Sequence, residues 1–443
     1  MNRVLRPGSA REQILAFQSR ALRRIVAHAY ENVPYYRRLF DGAGLDPRSV
    51  RTIADLDRIP LTGKDDLRAV PVADTLAGGL DASRLQTIAT SGATGQPFAI
   101  LHTRIEQRAA VLLAFRALRH YGLRCGDRRA GIAAADPGHR PTLHWRVASA
   151  LGVQRRLRLN LFEQDAALLA VLRRFRPDVL GGPASALTRL ADAATDEDRL
   201  AIRPRFMTSG SETLTAPMRE RITAAFGAPV YENYGCHELG QVAWQCKKTG
   251  GLHVCDEGVI AEIIKDGRPA LPGEQGELVG TNLYCYAMPF IRYRSGDVVT
   301  RGPETCACGR SCSTLSGVLG RMLDYFLLPD GRWMHPFQIG QIVMNIGKWV
   351  RNYQLVQDRV DRIVLRVVAF RRPSAVELGL FERAARERLG PGVEFEVAFV
   401  PEIALGSRGK FQVAVSRVRP GYYAQGEQRT RLSHDEGGHS GHI

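Results

Sequence analysis

The sequence lacks any apolar run that approaches the roughly 18 to 20 residues of a membrane span, and no apolar stretch follows Met1-Asn2-Arg3 as a secretory signal would require. Cysteine is scarce as well, because eight residues in 443 are too few for a disulfide scaffold. Aromatic residues amount to 7% and are not interleaved with the arginines, which argues against a nucleic-acid-binding surface. These absences predict a cytoplasmic protein whose partners include neither a membrane nor a nucleic acid.

Basic residues are in excess, since 61 lysines and arginines against 45 acidic residues give a formal net charge of +16. The arginines are spread along the chain and do not form one cluster. A pocket for polyanionic small molecules such as ATP or coenzyme A would explain the excess. A GC-rich genome that encodes arginine in place of lysine would explain it equally well, so the charge alone does not select a partner.

The order of predicted elements indicates an α/β protein of more than one domain. A chain of 443 residues is too long for one simple core. Strand and helix alternate from residue 128 to residue 235, which favours an α/β sheet with crossover connections. Shorter strands with glycine and proline turns follow from residue 242, including a Gly-Arg turn at 320–321, and a strand–strand–helix–strand pattern from residue 353 predicts a small α+β unit. Near the N-terminus, Thr62 is a predicted helix N-cap with Asp65 in the capping-box position.

A glycine-rich loop, Thr90–Pro97, separates two predicted strands, Leu85–Ala89 and Phe98–His102. It contains two glycines and three hydroxyl side chains. Glycine permits positive φ and close backbone approach, so successive N–H groups can converge on an anion. The loop has neither the Gly-Lys-Ser/Thr ending nor the following helix of a Walker loop. Phosphate binding and an ordinary hairpin turn are both consistent with this loop.

Two further motifs each end in a carboxylate. In Tyr234–Glu238, the carboxylate of Glu238 is a candidate Mg²⁺ ligand, because Mg²⁺ prefers carboxylate and phosphate oxygens, and Tyr234 could pack against a base. In Arg292–Asp297, the carboxylate of Asp297 lies at the end of a predicted strand and could accept hydrogen bonds from ribose hydroxyls. A surface loop and a β-turn aspartate are the alternatives.

Four residues that can bind a metal ion lie on two predicted loops. They are Cys246 and His253 on one hairpin-like stretch, and Cys306 and Cys308 on another. Two such pairs can close a tetrahedral Cys₃His zinc site. Reduced thiols in loops are the alternative, and Cys255 and Cys312 are spare candidate ligands. Ligand type and number favour a structural zinc ion.

Taken together, these motifs resemble those of the adenylate-forming superfamily, and specifically its phenylacetate–coenzyme A ligase branch. The resemblance extends over residues 15–419. Its branch-specific segments, besides the loops above, are Asn32–Tyr36, Pro60–Lys64, Pro289–Asp297, Cys306–Arg310 and Gly320-Arg321. The implied fold class is α/β, with a large N-terminal adenylate-forming domain of α/β sheets plus a small β region, and a small mobile α+β C-terminal domain.

The resemblance also implies domain boundaries. The adenylation domain, which binds ATP and the acid, would span 1–324 and contain a zinc-binding β subregion around 242–317. The C-terminal domain would span 325–420 and carry Lys410, with Asp324 as the hinge. Residues 421–443 are expected to form a disordered tail.

The implied reaction is ATP-dependent activation of an aromatic or otherwise hydrophobic carboxylic acid as an acyl adenylate. Transfer to coenzyme A then releases AMP, after pyrophosphate has left in the first step. The implied catalytic residues are Lys410, which enters the site for adenylation, Glu238, which binds Mg²⁺, and His237 beside the α-phosphate. The implied nucleotide-binding residues are Ser91, Gly92, Ala93, Thr94 and Gly95 for the triphosphate, Gly210, Ser211, Glu212, Tyr234 and Gly235 for adenine, and Asp297 and Arg321 for ribose.

Three positions depart from the branch pattern. Ala93 stands where threonine is usual, Gln96 where lysine is usual, and His237 where threonine or serine is usual. A degenerate nucleotide-binding protein without catalysis therefore remains an alternative. An adenylating ligase that passes the acyl group to an amine or a carrier-protein thiol is another. The identity of the acid and the formation of a homodimer stay open.

Overall fold

The computed structural model describes residues 10–90, 98–133, 155–321, 326–330, 333–334, 337–404 and 412–418. The chain forms two compact units that divide between Gly320 and Arg321. Within the described residues, no helix is both long enough and apolar enough to cross a membrane.

Two helices and a series of short helical segments open the first unit. The helix Arg11–Asn32 stops before a proline, because the residue that precedes proline avoids the α conformation, and that proline begins the helix Pro34–Gly42. The short segments are Pro47–Ser49, Ile53–Arg58, Lys64–Arg68, Val72–Thr75 and Ala82–Arg84. Buried side chains of this region share one hydrophobic core with strands of the large sheet.

The predicted N-cap at Thr62 is wrong by one residue. Gly63 caps the helix Lys64–Arg68, and its N–H donates to the Asp66 carboxylate at 2.7 Å. The Thr62 hydroxyl instead donates to the Ile291 carbonyl at 2.9 Å. A long-range contact therefore takes the side chain that the local pattern assigned to capping.

A 12-stranded sheet forms the centre of the first unit, and a separate antiparallel hairpin precedes it. The hairpin strands are β1 (Gln86–Thr90) and β2 (Phe98–His102). The sheet strands are β3 (Arg129–Ala133), β4 (Arg156–Asn160), β5 (Val179–Gly182), β6 (Phe206–Ser209), β7 (Val230–Cys236), β8 (Gly240–Gln245), β9 (Leu252–Val254), β10 (Val259–Lys265), β11 (Arg268–Pro269), β12 (Gln275–Asn282), β13 (Tyr293–Arg301) and β14 (Thr314–Arg321). Their order is β11-β10-β12-β13-β14-β9-β8-β7-β6-β5-β3-β4.

One half of this sheet is parallel and the other half contains antiparallel pairs. Strands β4, β3, β5, β6 and β7 pair in parallel, and helices connect β4 to β5, β5 to β6 and β6 to β7. After β2, the described residues of this unit form the helices Arg104–His120, Asp165–Phe175, Ala184–Ala193, Asp196–Ala201 and Ala216–Phe226. From β8 onward the described pairs are antiparallel, as short turns between neighbours require. Strand β7 is thus the point where parallel pairing gives way to antiparallel pairing.

The second unit is a small α+β domain. It contains a short hairpin of β15 (Phe326–Leu327) and β16 (Trp333–Met334), the helices Phe337–Ile346 and Ala375–Leu389, and the strands β17 (Val350–Arg359), β18 (Arg362–Ala369), β19 (Glu394–Phe399) and β20 (Ala414–Ser416). The four-stranded sheet has the order β19-β18-β17-β20. Trp349, Phe381 and Phe395 pack in its core.

The predicted α/β class with a small C-terminal α+β domain is confirmed. One helix was not predicted, and one predicted turn is wrong. The helix Phe337–Ile346 was missed, because its composition is mostly apolar and gives no clear helical alternation. The Gly-Arg turn predicted at 320–321 is wrong, because both residues belong to the end of β14.

Candidate functional site

The segment Tyr234–Glu238 completes β7 and begins the turn into β8. Gly235 is required there, since a Cβ at this position would collide with the Gly240 carbonyl oxygen. Gly240 itself has a φ of +71°, which favours glycine. In this tight turn Glu238 is buried, with only 8% of its surface exposed.

Asp297 lies within β13, at a local irregularity. Gly296 before it has a φ of +72°. The Asp297 N–H donates to the Ser295 hydroxyl at 3.1 Å, and that hydroxyl donates to the Leu278 carbonyl on β12 at 2.8 Å. These bonds fix the backbone on either side of the carboxylate, which is itself only 8% exposed.

Two tyrosine–carboxylate hydrogen bonds join these two motifs. The Tyr234 hydroxyl donates to Asp297 Oδ2 at 2.7 Å, and the Tyr293 hydroxyl donates to Glu238 Oε1 at 3.1 Å. Burial, together with the nearby Asp297 charge, raises the pKa of Tyr234 well above its usual value, so this hydroxyl stays protonated and acts as a donor. The structure therefore brings together the two motifs whose carboxylates are the candidate ligands for Mg²⁺ and ribose.

The predicted adenine loop, residues 210–212, follows β6 and lies against β7. A Cβ on Gly210 would come within 3.0 Å of the Asn233 carbonyl oxygen, which explains why a glycine stands there. Ser211 adopts a φ of +71°, a conformation that is uncommon outside glycine. The Glu212 carboxylate accepts hydrogen bonds from the N–H and the hydroxyl of Ser185 at 2.9 and 3.1 Å. The loop is thus anchored to the start of the helix Ala184–Ala193, beside the strand that carries Tyr234.

His237 is exposed and lies close enough to His102 for their charges to interact. Burial lowers the pKa of His102, the Glu106 carboxylate raises it, and His237 lowers it further. His102 ends β2, and Glu106 accepts hydrogen bonds from the backbone N–H groups of Tyr286 and Ala287. The end of β2 therefore lies near the Tyr234–Glu238 segment.

Several predicted site residues fall outside the described residues. They are Ser91, Gly92, Ala93, Thr94, Gly95, Asp324 and Lys410, together with the side chain of Arg321. Their roles stay predictions.

The four predicted zinc ligands converge at the far end of β8 from Glu238. Cys246 follows β8, His253 lies on β9, and Cys306 and Cys308 lie between β13 and β14. One ligand atom from each lies within 4.8 Å of the other three. Cys246 Sγ and Cys306 Sγ are 3.8 Å apart, and Cys308 Sγ is 3.3 Å from His253 Nε2.

This geometry fits a tetrahedral zinc ion. Zinc–sulfur bonds of about 2.3 Å and zinc–nitrogen bonds of about 2.0 Å place ligand atoms roughly 3.5 to 3.8 Å apart. Burial opposes ionisation of Cys246, but hydrogen bonds from Thr249, Lys248 and Cys306 outweigh it and bring the pKa of this thiol down to about 7. Burial also lowers the pKa of His253 to about 4, which keeps the imidazole neutral and able to bind a metal.

Sequence reasoning missed the residues that support the two carboxylates. Asn282 is fully buried, and its Nδ2 donates to the Glu238 carbonyl at 3.2 Å. Tyr36 donates to the Pro289 carbonyl and accepts from the Ile291 N–H, both at 3.0 Å. Tyr36 belongs to the branch-specific segment Asn32–Tyr36, so a sequence motif did mark this residue. The sequence does not indicate, however, which residues that segment contacts.

Tyr293 was also missed, although a signal for it exists. It precedes Asp297 by four residues, as Tyr234 precedes Glu238 by four residues. This repeated spacing is visible in the sequence, whereas the crossed pairing is visible only in the structure.

Comparison with known proteins supplies the remaining findings. Residues 51–282 match the family model described as AMP-binding enzyme, and residues 326–417 match the CapK C-terminal domain. A phenylacetate-coenzyme A ligase of Thermus thermophilus is 31% identical over 368 residues, which cover 79% of this chain and 79% of that protein. Protein CapK of Staphylococcus aureus is 21% identical over 418 residues, 92% of this chain and 90% of that protein. A crystal structure of 2-hydroxyisobutyryl-CoA ligase shares the fold with a TM-score of 0.76, at 22% identity over 96% of this chain and 94% of that one.

Proposed function

This chain belongs to the AMP-binding enzyme family, among the phenylacetate–coenzyme A ligases, and from that membership we propose how it joins a carboxylic acid to coenzyme A. It is an AMP-forming acid–thiol ligase. In the first step a carboxylate oxygen of the acid attacks the α-phosphorus of ATP, and the bond to pyrophosphate breaks. In the second step the coenzyme A sulfur attacks the acyl carbonyl carbon, loses its proton, and displaces AMP.

The pair of Tyr–carboxylate hydrogen bonds is the observation that carries this proposal. It holds Glu238 and Asp297 close to the sheet at the point where parallel pairing ends, and ligands of α/β sheets gather outside the carboxyl ends of such strands. Asp297 would accept hydrogen bonds from the ribose hydroxyls. Glu238 would hold Mg²⁺, which neutralises phosphate charge when it is bound.

The remaining assignments rest on motif position. The loop Ser91–Gly95 would hold the triphosphate with its backbone N–H groups, and residues 210–212 would frame adenine. His237 would donate a hydrogen bond to the α-phosphate. Lys410 would bring a positive charge to the bond that forms during adenylation and withdraw before thiol attack, and a hinge at Asp324 would permit that movement.

We propose an aromatic acid as the substrate. The support is the relative that is 31% identical, a phenylacetate-coenzyme A ligase, whereas the 2-hydroxyisobutyryl-CoA ligase, at 22% identity, supports the fold alone. The substrates of these two ligases nevertheless define a contrast to test, between an aryl acid and a short hydroxylated acid.

The test is pyrophosphate release with ATP and Mg²⁺ across a panel of acids, each with and without coenzyme A. The panel includes phenylacetate, benzoate and 2-hydroxyisobutyrate. Release that depends on an aromatic acid, with turnover that depends on coenzyme A, is the expected outcome. Silence across the panel would refute the adenylation proposal, and release with only the short hydroxylated acid would refute the aromatic assignment.

A second candidate keeps adenylation and changes the acceptor. The match of residues 326–417, a range that includes position 410, to the CapK C-terminal domain is the observation that favours it. In this case an amine or a carrier-protein thiol would take the acyl group. Acid-dependent pyrophosphate release that coenzyme A does not stimulate would select this candidate.

We also propose that Cys246, His253, Cys306 and Cys308 hold a structural zinc ion. All four coordination positions are then filled by protein, which is the mark of a structural site and not of a catalytic one. We expect the protein to work in the cytoplasm, where ATP and coenzyme A are available and thiols stay reduced. Metal analysis of the pure protein should find one zinc per chain, and a content well below that would refute the site.

A further inference from the structure

We infer that Tyr293 is a positioning residue for Glu238, and that Tyr234 positions Asp297 in the same way. The inference rests on the proposed function, since it concerns how the metal ligand and the ribose ligand are held. Each motif contributes one tyrosine and, four residues later, one carboxylate. The hydrogen bonds cross between the motifs, so each carboxylate is held by the tyrosine of the other motif.

The Tyr293 hydroxyl acts on one oxygen of the Glu238 carboxylate. It donates to Oε1 at 3.1 Å, from a ring that is only 2% exposed. In the part of the chain that the structure describes, the other oxygen, Oε2, accepts no hydrogen bond. A carboxylate with one oxygen tied down has a restricted rotamer and presents the other oxygen in a fixed direction, as a metal ligand requires.

The backbone of Glu238 is held by a side chain at the end of β12. The Asn282 amide on β12 donates to the Glu238 carbonyl at 3.2 Å, and its own Oδ1 accepts the N–H groups of Tyr284 and Cys285, each at 3.0 Å. Side chain and backbone of the carboxylate residue are therefore both fixed from the β12–β13 side.

The ring and the backbone of Tyr293 are held in place by neighbouring residues. Its ring meets the Phe290 ring edge-on, with centroids 5.2 Å apart and an interplanar angle of 78°. Thr62 bridges to Tyr293 along the backbone, and the Tyr36 hydroxyl binds the Ile291 N–H. This packing would keep a phenylalanine ring in the same place, so removal of the hydroxyl alone is a clean perturbation.

The variant Tyr293→Phe should weaken the binding of Mn²⁺ in the presence of ATP and leave the binding of metal-free ATP unchanged. Mn²⁺ serves as the probe because its unbound fraction can be read by electron paramagnetic resonance. The expected loss in Mn²⁺ affinity is about tenfold or more, the fold-change that corresponds to a hydrogen bond to a charged group. The melting temperature should stay close to that of the wild type.

The variant Tyr234→Phe should give the opposite pattern. Loss of its bond to Asp297 should reduce the preference for ATP over 2′,3′-dideoxy-ATP and spare Mn²⁺ affinity. Tyr30→Phe is the matched control, because Tyr30 also donates to an aspartate, Asp41, at 3.0 Å, but on the exposed surface of the N-terminal helices. It should change neither quantity.

Unchanged Mn²⁺ affinity in Tyr293→Phe would overturn the inference. So would an equal loss of metal-free ATP binding, or the same pattern in both tyrosine variants, because each result would indicate a general structural role. The binding assays need no turnover. If the wild type releases no pyrophosphate with any acid, the proposed function fails, while the Mn²⁺ data still decide the role of Tyr293.

Discussion

Replacement of Arg292 by alanine should be among the most damaging single changes in the first unit. Arg292 lies at the start of the strand that carries Tyr293 and Asp297, and it is 8% exposed with a φ of +46°. Its guanidinium donates to both oxygens of the Glu262 carboxylate at 2.9 to 3.2 Å and to the carbonyl oxygens of Asp57 and Ile59 at 3.0 and 2.7 Å. The variant leaves the Glu262 carboxylate, whose side chain is only 17% exposed, without its ion-pair partner, which costs about 3 kcal/mol of unfolding free energy.

The stability loss caused by Arg292→Ala should depend on pH in a definite direction. Burial raises the pKa of Glu262, and Arg292 lowers it, so removal of Arg292 raises the folded-state pKa further. A raised carboxyl pKa contributes stability that is present below the unfolded value, about 4.3, and is lost as the pH rises through the folded value. The penalty of Arg292→Ala should therefore be largest at neutral pH and shrink as the pH falls toward the ordinary carboxyl range.

Urea unfolding of the wild type and the variant at neutral and mildly acidic pH measures both effects. Arg268→Ala is the matched control, since Arg268 also binds both oxygens of a glutamate, Glu274, at 2.8 and 2.9 Å, but on the surface. The control should lose little stability, because solvent screens an exposed pair. The reasoning fails if Arg292→Ala costs no more than the control, or if its penalty grows as the pH is lowered.

Three further outcomes are expected. Glu238→Gln should raise the Mg²⁺ concentration needed for half-maximal pyrophosphate release by about tenfold or more, since it removes a charged ligand, and an unchanged requirement would mean that the ion is held elsewhere. Lys410→Ala should slow adenylation while sparing thiol attack on a supplied acyl adenylate, and equal loss in both half-reactions would rule out the proposed withdrawal of this lysine. Cys308→Ser should reduce bound zinc and lower the melting temperature, as measured by metal analysis and calorimetry, whereas Cys125→Ser, at an exposed cysteine away from the cluster, should do neither.

The parts of the fold that local chemistry dictates could be predicted from the sequence. Thr103 and Glu106 form a capping box that starts the helix Arg104–His120. The alternation of strands and helices up to β7 predicted the parallel half of the sheet, because parallel neighbours need crossovers. Thr62 shows the limit of such reasoning. Its hydroxyl does not cap the predicted helix, because it donates to the carbonyl of Ile291, more than two hundred positions away.

The same limit applies to the candidate site. Tyr234, Glu238 and Asp297 stood out because a tyrosine and carboxylates in loops suggest nucleotide chemistry. Asn282 and Tyr293 did not, because a buried amide and a buried tyrosine read as ordinary core residues until the partner of each polar group is known. Motif chemistry reveals the groups that face a ligand, whereas the groups that hold them depend on which strands become neighbours.

The most direct test of the central claim follows oxygen from the acid. The enzyme is incubated with ATP, Mg²⁺, coenzyme A and a substrate acid whose carboxylate carries a heavy oxygen isotope. The masses of the products are then measured by mass spectrometry. If the carboxylate attacks the α-phosphorus and the thiol then displaces AMP, one labelled oxygen must appear in AMP. Label in inorganic phosphate or pyrophosphate, or AMP that remains unlabelled while the thioester forms, would contradict the account.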